Sequence, residues 1–167
     1  MKSITRLSYN VGHLYLSQPW RHVPIKKLNK VFFERNDVPW IKSVIEKFKP
    51  DIIFFQELTS REDAEFLAKE LGYTQSSFLK GSHFKDQDLG TGIIYNNSSV
   101  KIQTGTATLS IHSLVFDDFV FTNLHLNPFS KNKRAEQIDE LISYVKKFGD
   151  KKHVVGGDFN LSHWRNR

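Results

Sequence analysis

Residues Ile52-Ile53-Phe54-Phe55 form an unbroken apolar run. A strand with one wet face alternates apolar and polar side chains, so a run without a polar position must be covered on both faces. The run ends abruptly at Gln56-Glu57. A chain carrying this segment needs a layer on each side of an inner strand, and it presents a polar pair where that strand ends.

The surrounding pattern supplies such layers. Ile4, Arg6 and Ser8 alternate with Leu7, Tyr9 and Val11, predicting a short strand that leads to Asn10 and Gly12. Val38, Ile41, Val44, Ile45 and Phe48 recur at helical spacing. Asn36 or Asp37 is placed to cap that helix, Pro39 suits its first turn, and Lys49-Pro50 stops it. Ala64, Leu67, Ala68 and Leu71 predict a second helix over 61–71, closed by Gly72. Strands are expected near 73–79, 91–96, 100–109 and 113–124, with a hairpin turn at Asp117-Asp118. A third helix is expected over 134–148, then a strand at His153-Val154-Val155-Gly156. Helices and strands alternate early, whereas strands without helices crowd the middle. That order excludes a purely parallel doubly wound sheet and predicts a mixed α/β fold with at least one largely antiparallel sheet.

With 167 residues, one domain spanning 1–167 is expected. The chain has no Cys, which excludes disulfides, thiolate metal ligation and a cysteine nucleophile. It also favours a reducing compartment, so a cytoplasmic location is expected, with secretion the alternative because secreted proteins can also lack disulfides. No apolar run approaches the ~20 residues of a membrane span, so no membrane span is expected. The formal net charge of +6 suits polyanionic partners such as nucleic acid or an acidic membrane surface, or simply a generic basic protein, and the dispersed positive charges do not choose the polymer. Together with the aromatic residues of the 13–36 connection, they make nucleic acid the expected partner. Residues 13–36 are a long polar and aromatic connection that reads either as a packed surface loop or as a binding loop, in which Trp20, Arg21 and His22 suit base stacking and phosphate contact and His13 is a further candidate to approach substrate. Lys131, Lys133 and Arg134 begin a helix and are candidates for a phosphate backbone or simply a solvated face.

Four polar signals follow apolar strands: Ser8-Tyr9-Asn10-Val11-Gly12, Phe55-Gln56-Glu57, Thr122-Asn123-Leu124-His125-Leu126 and Gly156-Gly157-Asp158-Phe159-Asn160. Taken singly, each has an ordinary structural reading. Asn10 suits a turn, Glu57 a solvated strand end, His125 a hydrogen-bonded structural histidine, and Asp158-Phe159-Asn160 an Asx turn. Taken together, strand ends gathered at one edge of a layered fold would bring Asn10, Glu57, His125, Asp158 and Asn160 to one cleft. Two carboxylates with two amides make a hard, oxygen-rich set suited to Mg2+ or Mn2+, and a single imidazole disfavours zinc.

In order and content these signals resemble the Asn, Gln-Glu, Asn-x-His and Gly-Asp-Phe-Asn motifs of the endonuclease/exonuclease/phosphatase family. Gly90-Thr91-Gly92-Ile93-Ile94-Tyr95 resembles that family's small-residue strand, and the likeness runs from about residue 4 to the C-terminus. The resemblance implies a four-layer α/β/β/α sandwich with two mainly antiparallel sheets. It also implies divalent-metal-dependent phosphodiester hydrolysis, by an endonuclease or exonuclease on nucleic acid. Glu57 would ligate Mg2+ or Mn2+ with Asn10 in support, and Gln56 would shape the metal site. His125 would hydrogen-bond the scissile phosphate or act as an acid, Asp158 would position or deprotonate the attacking water, and Asn160 would bind phosphate and orient Asp158. Asn10, His125 and Asn160 would touch substrate. Alternatives within the family are a phosphomonoesterase or a lipid phosphodiesterase, although no lipid-inserting apolar hairpin is evident. Outside it, the alternative is a noncatalytic binding module or inactive fragment.

The chain departs from the pattern at its end. Only seven residues follow Asn160, whereas family members continue to a further Asp and a terminal Asp-His or Ser-Asp-His. Ser162-His163 lacks the intervening Asp and reads as loop. The expectation is a domain missing its C-terminal portion, with the second sheet incomplete and activity lowered by ~10²–10⁴-fold for want of an acid–base group. Such a chain would be a fragment, or one half of a split protein completed by a second chain.

Overall fold

The computed structural model describes residues 6–10, 37–58, 60–81, 89–96, 101–105, 111–116 and 118–161; for 9, 10, 37–40 and 101–105 it describes the backbone. The strands are β1 (Arg6–Asn10), β2 (Ile52–Leu58), β3 (Gln75–Lys80), β4 (Gly90–Tyr95), β5 (Lys101–Gly105), β6 (Ile111–Val115), β7 (Phe119–His125) and β8 (Lys152–Asp158). The helices are α1 (Asp37–Phe48), α2 (Arg61–Leu71) and α3 (Lys131–Val145), the last continued by a 3-10 turn at Lys146–Phe148.

Two four-stranded sheets form, in the orders β1-β2-β4-β3 and β5-β6-β7-β8. Each holds one parallel pair, β1 with β2 and β7 with β8, and its other pairings are antiparallel. The expected architecture is thus met: helix, sheet, sheet, helix. The apolar run of β2 explains why. Ile53 and Phe55 pack with Ile41, Ala64, Leu67 and Ala68 of the helical layer, while Ile52 and Phe54 pack with Leu114 and Phe121 of the opposite sheet. Both faces of β2 are covered, as an unbroken apolar strand requires. On the far side, Ile111, Leu124 and Leu126 pack against Leu141 and Tyr144 of α3.

Local chemistry sets the element ends. Ser60 caps α2 by accepting from the Asp63 N–H at 3.1 Å, and Gly72 closes it at φ 78°. Ser130 caps α3 through the Lys133 N–H, so this helix starts at Lys131, earlier than its apolar period alone suggests. The hairpin expected between β6 and β7 is present, with Val115 opposite Val120 and the Phe116 N–H bonded to the Phe119 carbonyl; Asp117 lies outside the described residues. The last strand runs on to Asp158, through Gly156 and Gly157, rather than ending at Gly156. Gly157 takes φ 134°, and a Cβ there would lie 2.0 Å from the Leu124 carbonyl oxygen, so β7 and β8 approach too closely for a side chain.

The layer between the sheets changes character along its length. At one end it is Ile52, Phe54, Ile93, Tyr95, Leu114 and Phe121. Toward the C-terminal ends of the parallel pairs, Gln56, Thr91, His112 and Asn123 are buried within it. That polar end meets the candidate site. Among the described residues, no helix is long and apolar enough to cross a membrane.

Candidate active site

Parallel strands finish at the same end of a sheet, so residues at their C-terminal tips are neighbours. In one sheet Asn10 stands opposite Gln56, immediately before Glu57. In the other, His125 stands opposite Asp158, and the Leu126 N–H donates to the Asp158 carbonyl at 2.9 Å. The two parallel pairs face each other across the sandwich, and their tips converge.

Glu57 reaches this convergence through a backbone irregularity. Its φ is 65°, and the β2–β4 register shifts between Gln56 and Leu58. A bulge inserts one residue and re-aims a side chain. Simple alternation would send Glu57 to the helical face with Ile53 and Phe55. Instead Leu58 packs in the helical-side core, where a Cβ on Gly92 would collide with it, and Glu57 is free of that face. A glutamate held at positive φ costs of order 1–3 kcal/mol, which the surrounding packing must offset.

The result is a cluster. One ligand atom from each of Glu57, His125 and Asp158 lies within 4.8 Å of the others, a group that could hold a metal ion. His125 Nε2 is 3.6 Å from Glu57 Oε1, with side-chain exposures of 10% and 17%. That separation exceeds a good hydrogen bond and leaves the pair positioned to share a third species. The donor set, two carboxylates and one imidazole, fits a hard divalent cation.

Asn160 adopts φ 49°, and its N–H donates to Asp158 Oδ1 at 2.8 Å. This Asx turn fixes the Asp158 carboxylate. The Asn160 side chain turns back, its Nδ2 donating to the Leu126 carbonyl at 2.7 Å and tying the loop after β8 to the end of β7. The Asx turn expected at Asp158-Phe159-Asn160 is thus present, and Asp158 is also a member of the cluster.

The segment after His125 is equally constrained. Asn127 accepts from the Phe129 and Ser130 N–H groups at 2.9 and 2.8 Å. Its own N–H donates to Gln137 Oε1 at 2.8 Å, and Arg134 Nη1 donates to its carbonyl at 3.0 Å. Arg134 is 6% exposed. Of the three basic residues at the start of α3, Lys131 and Lys133 are exposed, while Arg134 is committed to holding the loop.

Other candidates fall elsewhere. The Asn10 side chain, and His13, Trp20, Arg21, His22, His83, Ser162 and His163, lie outside the described residues. His112 is buried between the sheets, 2.7 Å from Ser77 Oγ and 3.3 Å from Thr91 Oγ1, and burial pushes its imidazole down to about 4. His153 packs its ring against Phe148. Asn123, the Asn of the Asn-x-His signal, has no role that the sequence assigns; it lies two residues before His125 and so on the same strand face. The motif together with its period-two spacing is the signal that marks it.

A family model described as "Endonuclease/Exonuclease/phosphatase family" matches residues 7–167. No curated protein matches by sequence. Among solved structures, a humanised D. rerio TDP2 carrying 14 mutations superposes with TM-score 0.62 at 22% identity, over 96% of this chain and 63% of that one. D. rerio TDP2 complexed with single-strand DNA product gives TM-score 0.59 at 22% identity, over 96% and 62%. The Bacteroides thetaiotaomicron VPI-5482 mannosyl-6-phosphatase Bt3783 gives TM-score 0.62 at 17% identity, over 98% and 68%. At such identities the likeness is one of fold, and the chain spans about 63% of the length of the first of these relatives.

Proposed function

Because this chain belongs to the endonuclease/exonuclease/phosphatase family, we propose that its strand-end cluster serves divalent-metal-dependent hydrolysis of a phosphodiester in nucleic acid. The observation that carries the reading is the gathering of Glu57, His125 and Asp158 donor atoms within 4.8 Å at the ends of two facing parallel pairs. The net charge of +6 favours a polyanionic substrate, and a fold relative, D. rerio TDP2, is complexed with single-strand DNA product.

Glu57 would hold Mg2+ or Mn2+, with Asn10 in support from the adjacent strand. A bound divalent cation supplies neutralisation of phosphate charge. Asp158, whose carboxylate accepts from the Asn160 N–H, would take a proton from a water aligned for in-line attack. His125, beside it on the neighbouring strand, hydrogen-bonds the phosphoryl oxygens or protonates the leaving oxygen. Asn160 binds phosphate through what remains of its amide after the bond to Leu126.

Plasmid nicking with Mg2+ and with EDTA tests the reading. Metal-dependent nicking that disappears in Asp158→Ala supports it. Binding to DNA without turnover in either condition, by wild type and variant equally, points instead to a noncatalytic module. A parallel panel of RNA, sugar phosphate, inositol phosphate and sphingomyelin separates nuclease from phosphomonoesterase and lipid phosphodiesterase.

A further inference from the structure

The two carboxylates and the imidazole of the cluster come from different sheets, so something must set the offset between those sheets. Most of the inter-sheet contact is apolar, made by Phe54, Ile93, Leu114 and Phe121. Apolar contact is non-directional and tolerates sliding better than hydrogen bonding does. Site chemistry does not tolerate it, since a displacement of about 1 Å is enough to weaken a ligand constellation.

Among the described residues, side-chain hydrogen bonds between the sheets are made by His112 with Ser77 and Thr91, by Arg6 with the Val155 carbonyl, and, directly beside the cluster, by Gln56 and Asn123. Gln56 is 1% exposed and Asn123 is 0% exposed. Gln56 Nε2 donates to Asn123 Oδ1 at 2.7 Å, and lies 3.3 Å from Ser8 Oγ on β1. Asn123 Nδ2 donates to two main-chain carbonyls of the opposite sheet, Phe55 at 3.0 Å and Gly92 at 2.9 Å. Phe55 and Gly92 are partners in the β2–β4 ladder, one pair before Gln56 and Thr91, after which the register shifts. One amide from β7 therefore grips β2 and β4 one residue pair from the place where the ladder breaks to turn Glu57 out. The same amide sits two residues from His125, and its partner Gln56 is bonded covalently to Glu57.

We propose that Gln56 and Asn123 are positioning residues: their clasp holds the Glu57 bulge in shape and sets the Glu57–His125 spacing, and through it the affinity of the cluster for a divalent cation. This rests on the metal-site reading above. It goes beyond that reading in giving the cation affinity a determinant that touches neither cation nor substrate. An amide is needed at position 123 because the site offers one donor from Gln56 and two carbonyl acceptors. Aspartate matches the first and opposes the second, and leucine matches neither.

Mn2+ binding to the full chain, followed by the electron paramagnetic resonance of the free ion, tests this alongside urea unfolding. Gln56→Met and Asn123→Leu keep approximate volume and remove the clasp. Each is expected to weaken Mn2+ binding by about 10–100-fold, the range typical of residues that orient metal ligands. The double variant should be no worse than the weaker single one, because both remove the same bond. Ser113→Ala is the control. It deletes a buried hydrogen bond to Thr122 at 2.8 Å that joins β6 to β7 within one sheet and does not cross to β2. It should lower the urea midpoint with Mn2+ affinity unchanged. Gln56→Met that loses stability as Ser113→Ala does, yet binds Mn2+ like wild type, overturns the inference and leaves the metal site standing. Should Asn123→Leu fail to fold, Gln56→Met decides alone. Wild type that takes up no Mn2+, or Glu57→Gln that binds it undiminished, overturns the metal-site reading and this inference with it.

Discussion

His125 Nε2 stands 3.6 Å from Glu57 Oε1, yet the two residues belong to different sheets. Their meeting depends on each sheet ending a parallel pair at the same edge and on the bulge that turns Glu57 out of the helical face. On the proposed function, His125 should be replaceable without unfolding the chain, because the neighbouring strand bonds are main-chain. His125→Ala is expected to lower metal-dependent phosphodiester cleavage by ~10²–10⁴-fold. The check is initial rate on a nicked-plasmid assay, with circular dichroism confirming the fold.

Bound cation should stabilise the fold, since ligands gathered from two sheets exist only in the native state. At a Mn2+ concentration about 100 times its dissociation constant, linkage adds ~2.7 kcal/mol, or roughly 5–10 °C in Tm for a chain of this size. Differential scanning calorimetry should show that rise in wild type and lose it in Glu57→Gln. An equal rise in the variant would move the cation to another place.

Acid should weaken the fold through His112. Its imidazole is buried against the hydroxyls of Ser77 and Thr91, and burial lowers it from 6.5 to about 4. The unfolded chain then binds the proton more tightly than the folded one. Stability is therefore full above pH 6.5, falls as the pH drops toward 4, and loses little more from this group below that. The full span corresponds to about 3 kcal/mol. Urea midpoints measured from pH 7 to 4 should fall less steeply in His112→Gln, which keeps a hydrogen-bonding side chain and cannot titrate.

Gly157→Ala should be among the most damaging single changes. A methyl group there meets the Leu124 carbonyl oxygen at 2.0 Å, and φ 134° is unsuited to alanine in any case. Backbone must move, and β7 and β8 must part where His125 and Asp158 lie side by side. The expected loss is roughly 3 kcal/mol or more, read as a lower urea midpoint.

Much of this protein was legible in its residues. The unbroken run Ile52–Phe55 demanded cover on both faces, and periodicity placed the helices at Asp37–Phe48 and Arg61–Leu71 within a residue or so. The ordered motifs around Asn10, Glu57, His125 and Asp158 pointed to one family, and a family model matches residues 7–167. These are local properties: apolar period, caps and motif order are written along the chain and need no knowledge of what packs where.

Tertiary structure alone decided the rest. Strand β2 neighbours β1 and β4, not β3, and β7 pairs in parallel with β8 across an intervening helix; such choices depend on long-range pairing. Period two predicts Glu57 facing the helices, and only the bulge after Gln56, gripped from the other sheet by Asn123, reverses it. Arg134 reads as a surface cation and is instead buried against the Asn127 carbonyl. A residue's neighbours along the chain set its local geometry. What it bonds to across a sandwich is set by sheets that meet only once the apolar layer between them has closed.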